Sequence, residues 1–191
     1  MEIAGQVGLI CDHLQRKGIH AIGFNYFDSY FDYDGVMATE AYELVKAFDH
    51  YLESYDLFHY HHGLSALTDN QDLLMVRNAG KKLIMHHRGN DVRARSRAKK
   101  GPGYTNPYVD LSGCLPDDQI HKNLKLFAKV CDAAIVQDYE LYGYVIDYYR
   151  KEGKPVHVLP RLVDFNRLPA SQPRSSNGNP VIIHAPTQLV V

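Results

Sequence analysis

The sequence of 191 residues is 45% hydrophobic and 23% charged, which is ordinary for a globular protein with a hydrophobic core. Its formal net charge of −1 gives no general attraction to nucleic acid, so no nucleic-acid partner is expected. Three scattered cysteines exclude a disulfide framework and favour a reduced, cytoplasmic protein. The N-terminus lacks a signal-peptide pattern, and no apolar run approaches the ~20 residues that span a bilayer.

Hydrophobic periodicity predicts helices that alternate with short strands. The predicted helices are 4–17, ended by Gly18, then 39–54, capped by Thr39, then 69–78, 118–131 and 139–151. The predicted strands are 21–24, 56–60, 82–85, 133–136 and 156–159, and 163–168 is expected to form one helical turn or an extended connection. This alternation indicates βαβ units and predicts an α/β domain with a mostly parallel sheet.

The C-terminal part of the sequence changes in composition. Residues 169–180 are rich in proline, serine, asparagine and glycine, which is typical of a linker. The apolar run 181–183 after it has the pattern of a buried strand. We therefore expect one domain over 1–168, a linker over 169–180, and the start of a truncated second domain over 181–191.

Two histidine-rich segments follow apolar runs that are predicted to be strands. Residues 59–63 read His-Tyr-His-His-Gly, and residues 86–93 read His-His-Arg-Gly-Asn-Asp-Val-Arg. In an open α/β sheet, ligands bind in the crevice beyond the carboxyl ends of the strands. The two segments are therefore expected to line a ligand site, although one histidine of the pair His86 and His87 could instead pack under its strand.

Other polar residues near these segments have two interpretations each. Arg93 could hold a phosphate or an acidic acceptor group that Asp91 orients, or the two residues could form a structural ion pair. Gly5 and Gln6 open the first helix, where free N–H groups can bind an anion and Gln6 could reach an acceptor, or they are an ordinary helix start. The basic run at 93–100 could face an anionic lipid on the inner membrane surface, or it is a solvated loop.

The histidines also raise the question of a metal. Imidazole and carboxylate groups such as Asp91 are common zinc ligands. The spacing of His59, His61 and His62 matches no usual zinc pattern, however, and no cysteine or glutamate partner stands near them. No metal site is therefore expected, and these side chains should line the cleft or pack beside Tyr60.

The order of several segments resembles the N-terminal domain of GT-B glycosyltransferases, in the large retaining family typified by sucrose synthase and bacterial glycan-assembly enzymes. Residues 86–93 look like the His-Gly-x-Asp-x-Arg variant that follows a strand in that family. Residues 160–165 look like its Asn-Gly-Val-Asp-x-x-x-Phe segment, with Arg161-Leu162 in place of Asn-Gly. The remaining similar segments are a glycine loop at 3–6, the strand region 132–138 and a strand exit at 184–187.

The resemblance implies a Rossmann-like three-layer αβα domain, the acceptor-side half of a GT-B fold. The whole enzyme would transfer a hexosyl group, with retention, from a nucleotide sugar to a glycan, lipid-linked or small-molecule acceptor, and would need no resident cofactor. Its donor site would lie mostly in the second domain, so this chain alone is not expected to turn over. The resemblance implies catalytic contacts from His86 and His87 and donor or acceptor contacts from Gly5, Gln6, His61, His62, Arg88, Asp91 and Arg93.

One departure from the family leads to a structural hypothesis. The family's sheet has a central strand before the glycine loop, and residues 1–3 are too short to form it. Unpaired strand edges in a core recruit partners. The strand pattern at 180–184 could fill the gap within the chain, or by exchange with a second copy to give a homodimer.

Two rival functions remain open from the sequence. A metal-dependent hydrolase would use the histidine segments as ligands. A non-catalytic α/β binding module, such as a flavodoxin-like domain, would bind a ligand without turnover.

Overall fold

A computed structural model describes residues 5–26, 33–98, 106–107, 109 and 114–167. Helices and strands alternate along these residues. They are α1 (Gln6–Arg16), β1 (Phe24–Asn25), β2 (Met37–Ala38), α2 (Ala41–Ser54), β3 (Leu57–His61), α3 (Gln71–Asn78), β4 (Lys82–His87), α4 (Arg95–Ala98), α5 (Asp117–Val130), β5 (Ala133–Val136), α6 (Tyr139–Lys151) and β6 (Val156–Val158). Single turns of 3₁₀ helix lie at Thr68–Asn70 and Phe165–Arg167.

The strands form two parallel groups. The larger sheet has the order β3-β4-β5-β6, and every neighbouring pair in it is parallel. The smaller group is the two-residue parallel pair of β1 and β2. Parallel neighbours need crossover connections, which α3, α5 and α6 supply between successive strands. The predicted α/β fold, Rossmann-like with a mostly parallel sheet, is therefore confirmed.

The hydrophobic core lies between the larger sheet and its crossover helices. Leu83 and Met85 of β4 and Val136 of β5 point into it and are completely buried. A fully buried side chain of this size contributes about 1.5–3 kcal/mol. The helices pack against these strands through Leu73, Val76, Ile120, Leu124, Phe127, Leu141, Val145 and Tyr149.

Helix α1 lies unusually close to the segment that leads into β2. Gly8 is buried on this side of the helix, and a Cβ atom added to it would overlap the carbonyl oxygen of Asp34. Gly35 has φ +76, and a Cβ atom there would lie 3.2 Å from the Cα atom of Gly8. Residues other than glycine rarely adopt this φ, which explains the glycine at position 35. Gly8 is explained by the close approach of the two backbones.

Some predicted boundaries are wrong. Thr39 does not cap α2, because the N-cap residue is Glu40 and no side-chain cap bond forms there. The pair β1 and β2 replaces the strand predicted at 21–24. Strand β4 continues through His87 instead of ending at Met85, which changes the direction of the two histidines.

Several predictions fall on residues 1–4, 99–105 and 168–191, which lie outside the described residues. These are the linker at 169–180, the second-domain start at 181–191 and the exchanging strand at 180–184. Within the described part of the chain, no helix is long and apolar enough to cross a membrane.

The N-terminus of α6 provides a local test of the fold. The Asp138 carboxylate caps this helix by accepting a hydrogen bond of 2.9 Å from the N–H of Leu141. We expect Asp138→Ala to lower the free energy of unfolding by about 1 kcal/mol in urea titrations, because that N–H loses its acceptor. Asp138→Asn keeps an acceptor oxygen, so its free energy of unfolding should fall by only a few tenths of a kcal/mol. An equal loss for both variants would show that capping is not the cause.

Candidate functional site

The two histidines at the end of β4 point to opposite faces of the sheet. Successive side chains of a strand alternate in direction, and β4 runs through both residues. The pairing of His86 with Ile135 and of His87 with Val136 continues the parallel register to the last residue of the strand. His86 and His87 therefore lie in two different environments and do not share one crevice.

His87 lies in the hydrophobic core. Its side chain is completely buried, with Nδ1 2.8 Å from Oδ2 of Asp91 and Nε2 3.3 Å from the hydroxyl of Tyr149. The ring of Phe127 packs beside it at a centroid distance of 6.0 Å. This is the alternative in which one histidine of the pair packs under its strand. The structure gives His87 a positioning role toward Asp91.

Asp91 organises the loop that follows β4. Its Oδ1 accepts hydrogen bonds of 3.0 Å from the N–H of Arg88 and 2.8 Å from the N–H of Gly89, and lies 3.4 Å from Nδ1 of His62. Burial by itself raises the pKa of this carboxyl. The hydrogen bond from His87, the charges of the two histidines and the N–H of Gly89 outweigh burial and lower the pKa to about 2. Asp91 is therefore an ionised group that holds the loop in place.

Arg93 pairs with Glu140 at the start of α6, and not with Asp91. Its Nε lies 3.1 Å from both carboxylate oxygens and its Nη2 lies 2.7 Å from Oε2. The amide of Asn106 donates to the same carboxylate at 2.6 Å and to the Tyr144 hydroxyl at 2.9 Å. The alternative of a structural Asp91–Arg93 ion pair is thus wrong, and the guanidinium joins the loop after β4 to α6.

The helix start at Gly5 and Gln6 has a structural partner. Gly5 is the N-cap residue of α1 with φ 69. The Gln6 amide donates to the carbonyl of Leu162 at 3.0 Å, and its Oε1 accepts from the N–H of Leu162 at 2.8 Å. This double hydrogen bond joins the start of α1 to the segment after β6. The Gln6 side chain therefore has a structural contact within the domain.

Three histidines meet on the other face of the sheet, at the carboxyl ends of β3 and β4. His59 and His61 are two residues apart on β3 and share a face, and His61 is the register partner of His86. The ring centroids lie 4.4 Å apart for His59 and His61, 5.4 Å for His59 and His86, and 5.1 Å for His61 and His86. We call these residues the histidine trio.

Arg88 lies against the trio. Its Nε and Nη2 are 3.3 Å and 3.0 Å from Nδ1 of His61, which makes this nitrogen the acceptor. Among the described residues, Nε2 of His59 and both ring nitrogens of His86 are buried without a hydrogen-bond partner. Buried polar atoms in this state are rare in proteins and need an explanation. An absent ligand is one such explanation.

The trio is uncharged at neutral pH. Burial, followed by the charge of Arg88, lowers the pKa of His59 to about 4 and that of His86 to about 2. Burial and the neighbouring charges of His59, Arg88 and His86 also lower the pKa of His61. Neutral imidazole offers one N–H donor and one lone pair, which suits hydroxyl groups and metal ions.

A cavity of about 570 Å³ opens beside the trio. It lies between α1, α2, β1 and β3, and His59 and His61 line one end of it. Apolar and aromatic side chains form most of the remaining wall, including Leu44, Phe48, Phe24, Tyr51 and Phe58. The hydroxyl of Tyr26, which also lines the cavity, donates to the Ser65 carbonyl at 3.0 Å. Such a cavity has the size of ordinary small-molecule sites.

Sequence reasoning left His59 out of the binding residues and did not identify Glu140 or Tyr149 as partners. The spacing of His59 and His61 was a usable signal, because residues two apart on a strand share a face. Glu140 and Tyr149 are brought to the site by α6, far away in the sequence.

Comparison of the chain with protein-family models, with curated proteins and with solved structures gave no match.

Proposed function

We propose that this chain is the acceptor-side domain of a retaining glycosyltransferase that uses a nucleotide sugar as donor. The observation that carries the proposal is the neutral histidine trio at the carboxyl edge of a parallel sheet, next to a cavity of about 570 Å³. Ligands of open α/β folds bind at this edge. Sugars need several hydrogen bonds from neutral groups, together with apolar surface for their ring faces.

The division of the sheet also supports the proposal. The pair β1 and β2 and the strands β3 to β6 are all parallel within their groups, and the cavity lies between β1 and β3. The proposed sugar site would therefore lie between the two groups of strands, next to the trio.

The structure narrows the residues proposed to touch a sugar. The side chains of Gln6, His87, Asp91 and Arg93 have structural partners. The proposed contacts are then His86 and His61, with His62 and Arg88 beside them. In the proposed reaction these groups hold the sugar hydroxyls, which fixes the acceptor oxygen against the anomeric carbon. The resemblance implies that a second domain grips the nucleotide.

Saturation-transfer NMR with a panel of mono- and oligosaccharides and nucleotide sugars tests the proposal on the chain as it stands. We expect at least one sugar to bind with a Kd of about 1 mM, which is a weak interaction of about −4 kcal/mol. His86→Leu should weaken binding about tenfold, because it removes one hydrogen bond.

His157→Ala is the matched control, because His157 is an exposed histidine on β6. It should bind the same sugar as tightly as the unmodified chain. No saturation transfer to any sugar or nucleotide sugar in the panel would contradict the proposal.

A further inference from the structure

We infer that His59, His61 and His86 form a binding site for a divalent transition-metal ion. Each residue offers a ring nitrogen, and the three nitrogens all lie within 4.8 Å of one another. The inference does not depend on the proposed function. A metal ion would use ring nitrogens of His61 and His86 that are proposed above to hold sugar hydroxyls, so the two ligands are alternatives at one site. The inference also reverses the expectation, drawn from sequence spacing, that these histidines bind no metal.

The backbone holds the three ligands in a fixed arrangement. Two of them come from one strand at positions two apart, and the third comes from the register partner on the neighbouring parallel strand. Zinc binds histidine nitrogen at about 2.0–2.1 Å, which places two tetrahedral ligands about 3.4 Å apart. The present separations are at most 4.8 Å, so the ring nitrogens would have to approach by up to about 1.4 Å to reach this distance.

The state of the ring nitrogens supports a missing ligand. Nε2 of His59 and both nitrogens of His86 are buried without a partner among the described residues. A metal ion would use one lone pair of each ring. Three such atoms on two neighbouring rings are more than an isolated unsatisfied group.

The ligand types select the metal. The trio provides three imidazole nitrogens and neither a carboxylate nor a thiolate, which suits zinc, cobalt, nickel or copper and not magnesium or calcium. His59 and His61 line the cavity, so a fourth coordination position would face it. Three protein ligands with one open position are typical of catalytic zinc sites, whereas structural sites are closed by four.

Arg88 competes with the metal. Its guanidinium donates to Nδ1 of His61, so the proton of this neutral ring is on Nε2. For Nε2 to ligate, its proton must leave and Nδ1 must take up one proton, which requires Arg88 to withdraw. The fixed positive charge of Arg88 also opposes a cation at this distance. Removing this charge should therefore strengthen metal binding.

Isothermal titration of ZnCl₂ into tag-free, EDTA-treated protein tests the inference, with the visible absorption of bound Co²⁺ as a second readout. We expect one equivalent of zinc to bind. His86→Leu should weaken binding by at least about 100-fold, and Arg88→Met should strengthen it by about tenfold. The control His157→Ala should leave the affinity unchanged.

His86→Leu removes unsatisfied nitrogens, so it is expected to fold, and circular dichroism would verify this. His59→Gln is a second variant that removes a ligand at a less buried position, with the same expected loss. The inference is overturned if the unmodified chain and Arg88→Met both fail to bind zinc, or if His86→Leu and His157→Ala lose affinity equally. Sugar binding is measured separately in a buffer that contains EDTA. Because no metal ion is bound in that buffer, the result reports on the proposed function alone.

Discussion

Replacing Asp91 by alanine is expected to lower the free energy of unfolding by about 3–5 kcal/mol, the largest effect of any single polar substitution considered for this chain. The variant leaves the N–H groups of Arg88 and Gly89 and the Nδ1–H of His87 buried without their common acceptor. Removing one partner from a buried charged cluster costs more than the net value of its contacts, because the remaining groups stay desolvated. Urea unfolding followed by circular dichroism measures the change.

Asp91→Asn is the matched control for charge. The amide keeps one acceptor oxygen for the two N–H groups, so we expect roughly half of the loss seen for Asp91→Ala. The pKa of Asp91 is about 2 in the folded chain and 3.8 for an ordinary aspartate. Its ionised form therefore stabilises the fold fully above pH 3.8, and this contribution is lost as the pH falls toward 2. The difference between the unmodified chain and Asp91→Ala should be equal at pH 8 and pH 6. A difference that disappears at pH 6 would contradict this assignment.

Gly8→Ala is expected to destabilise the chain by about 2–3 kcal/mol, although alanine is the better helix former. The added methyl would overlap the carbonyl oxygen of Asp34 and lie 3.2 Å from its carbonyl carbon. Both groups belong to backbone, which cannot move aside as a flexible side chain does. Helix α1 would have to shift away from the segment before β2. Thermal and urea unfolding would measure the loss.

Gly143→Ala provides the opposite case on α6. Gly143 is in the middle of a helix, and apart from the backbone of that helix no atom of the described residues lies within 4 Å of a Cβ built on it. We expect this variant to be more stable than the unmodified chain by up to about 1 kcal/mol, from helix propensity alone. If both glycine variants changed stability in the same direction, the close approach of α1 to Asp34 would not explain the result for Gly8.

The larger helices could be predicted because their signals are local. The helix predicted over 139–151 is found at Tyr139–Lys151. The helix predicted over 118–131 is found one residue earlier, at Asp117–Val130. Both carry an apolar stripe on one face, and Gly153, with φ 67, marks the end of α6. The two-residue strands β1 and β2 are too short for any periodicity to reveal them.

The end of β4 could not be predicted from its own residues. Polar histidines follow the apolar run there, which favours a strand that stops at Met85. The strand continues because His86 and His87 pair with Ile135 and Val136 of β5, and this pairing depends on distant sequence.

Those contacts join residues that no local spacing connects. Arg93 pairs with Glu140, and Gln6 pairs with Leu162. Both partners are far away in the sequence. Sequence spacing favoured Asp91 as the partner of Arg93 because the two residues are neighbours in the chain. In the structure the Asp91 carboxylate is already occupied by the N–H groups of its own loop.

The all-parallel pairing of the larger sheet has a consequence for how the chain folds. No two neighbouring strands can be joined by a hairpin, and Ile84 must pair with Ala133 after the whole of α5 has been placed. Loop-closure entropy is lost before such distant contacts form, so we expect the chain to fold slowly for its length. Until β5 arrives, the edge of β4 is open to other chains. We therefore expect the yield of refolded protein to fall as the concentration during refolding rises, because intermolecular pairing competes with this one step.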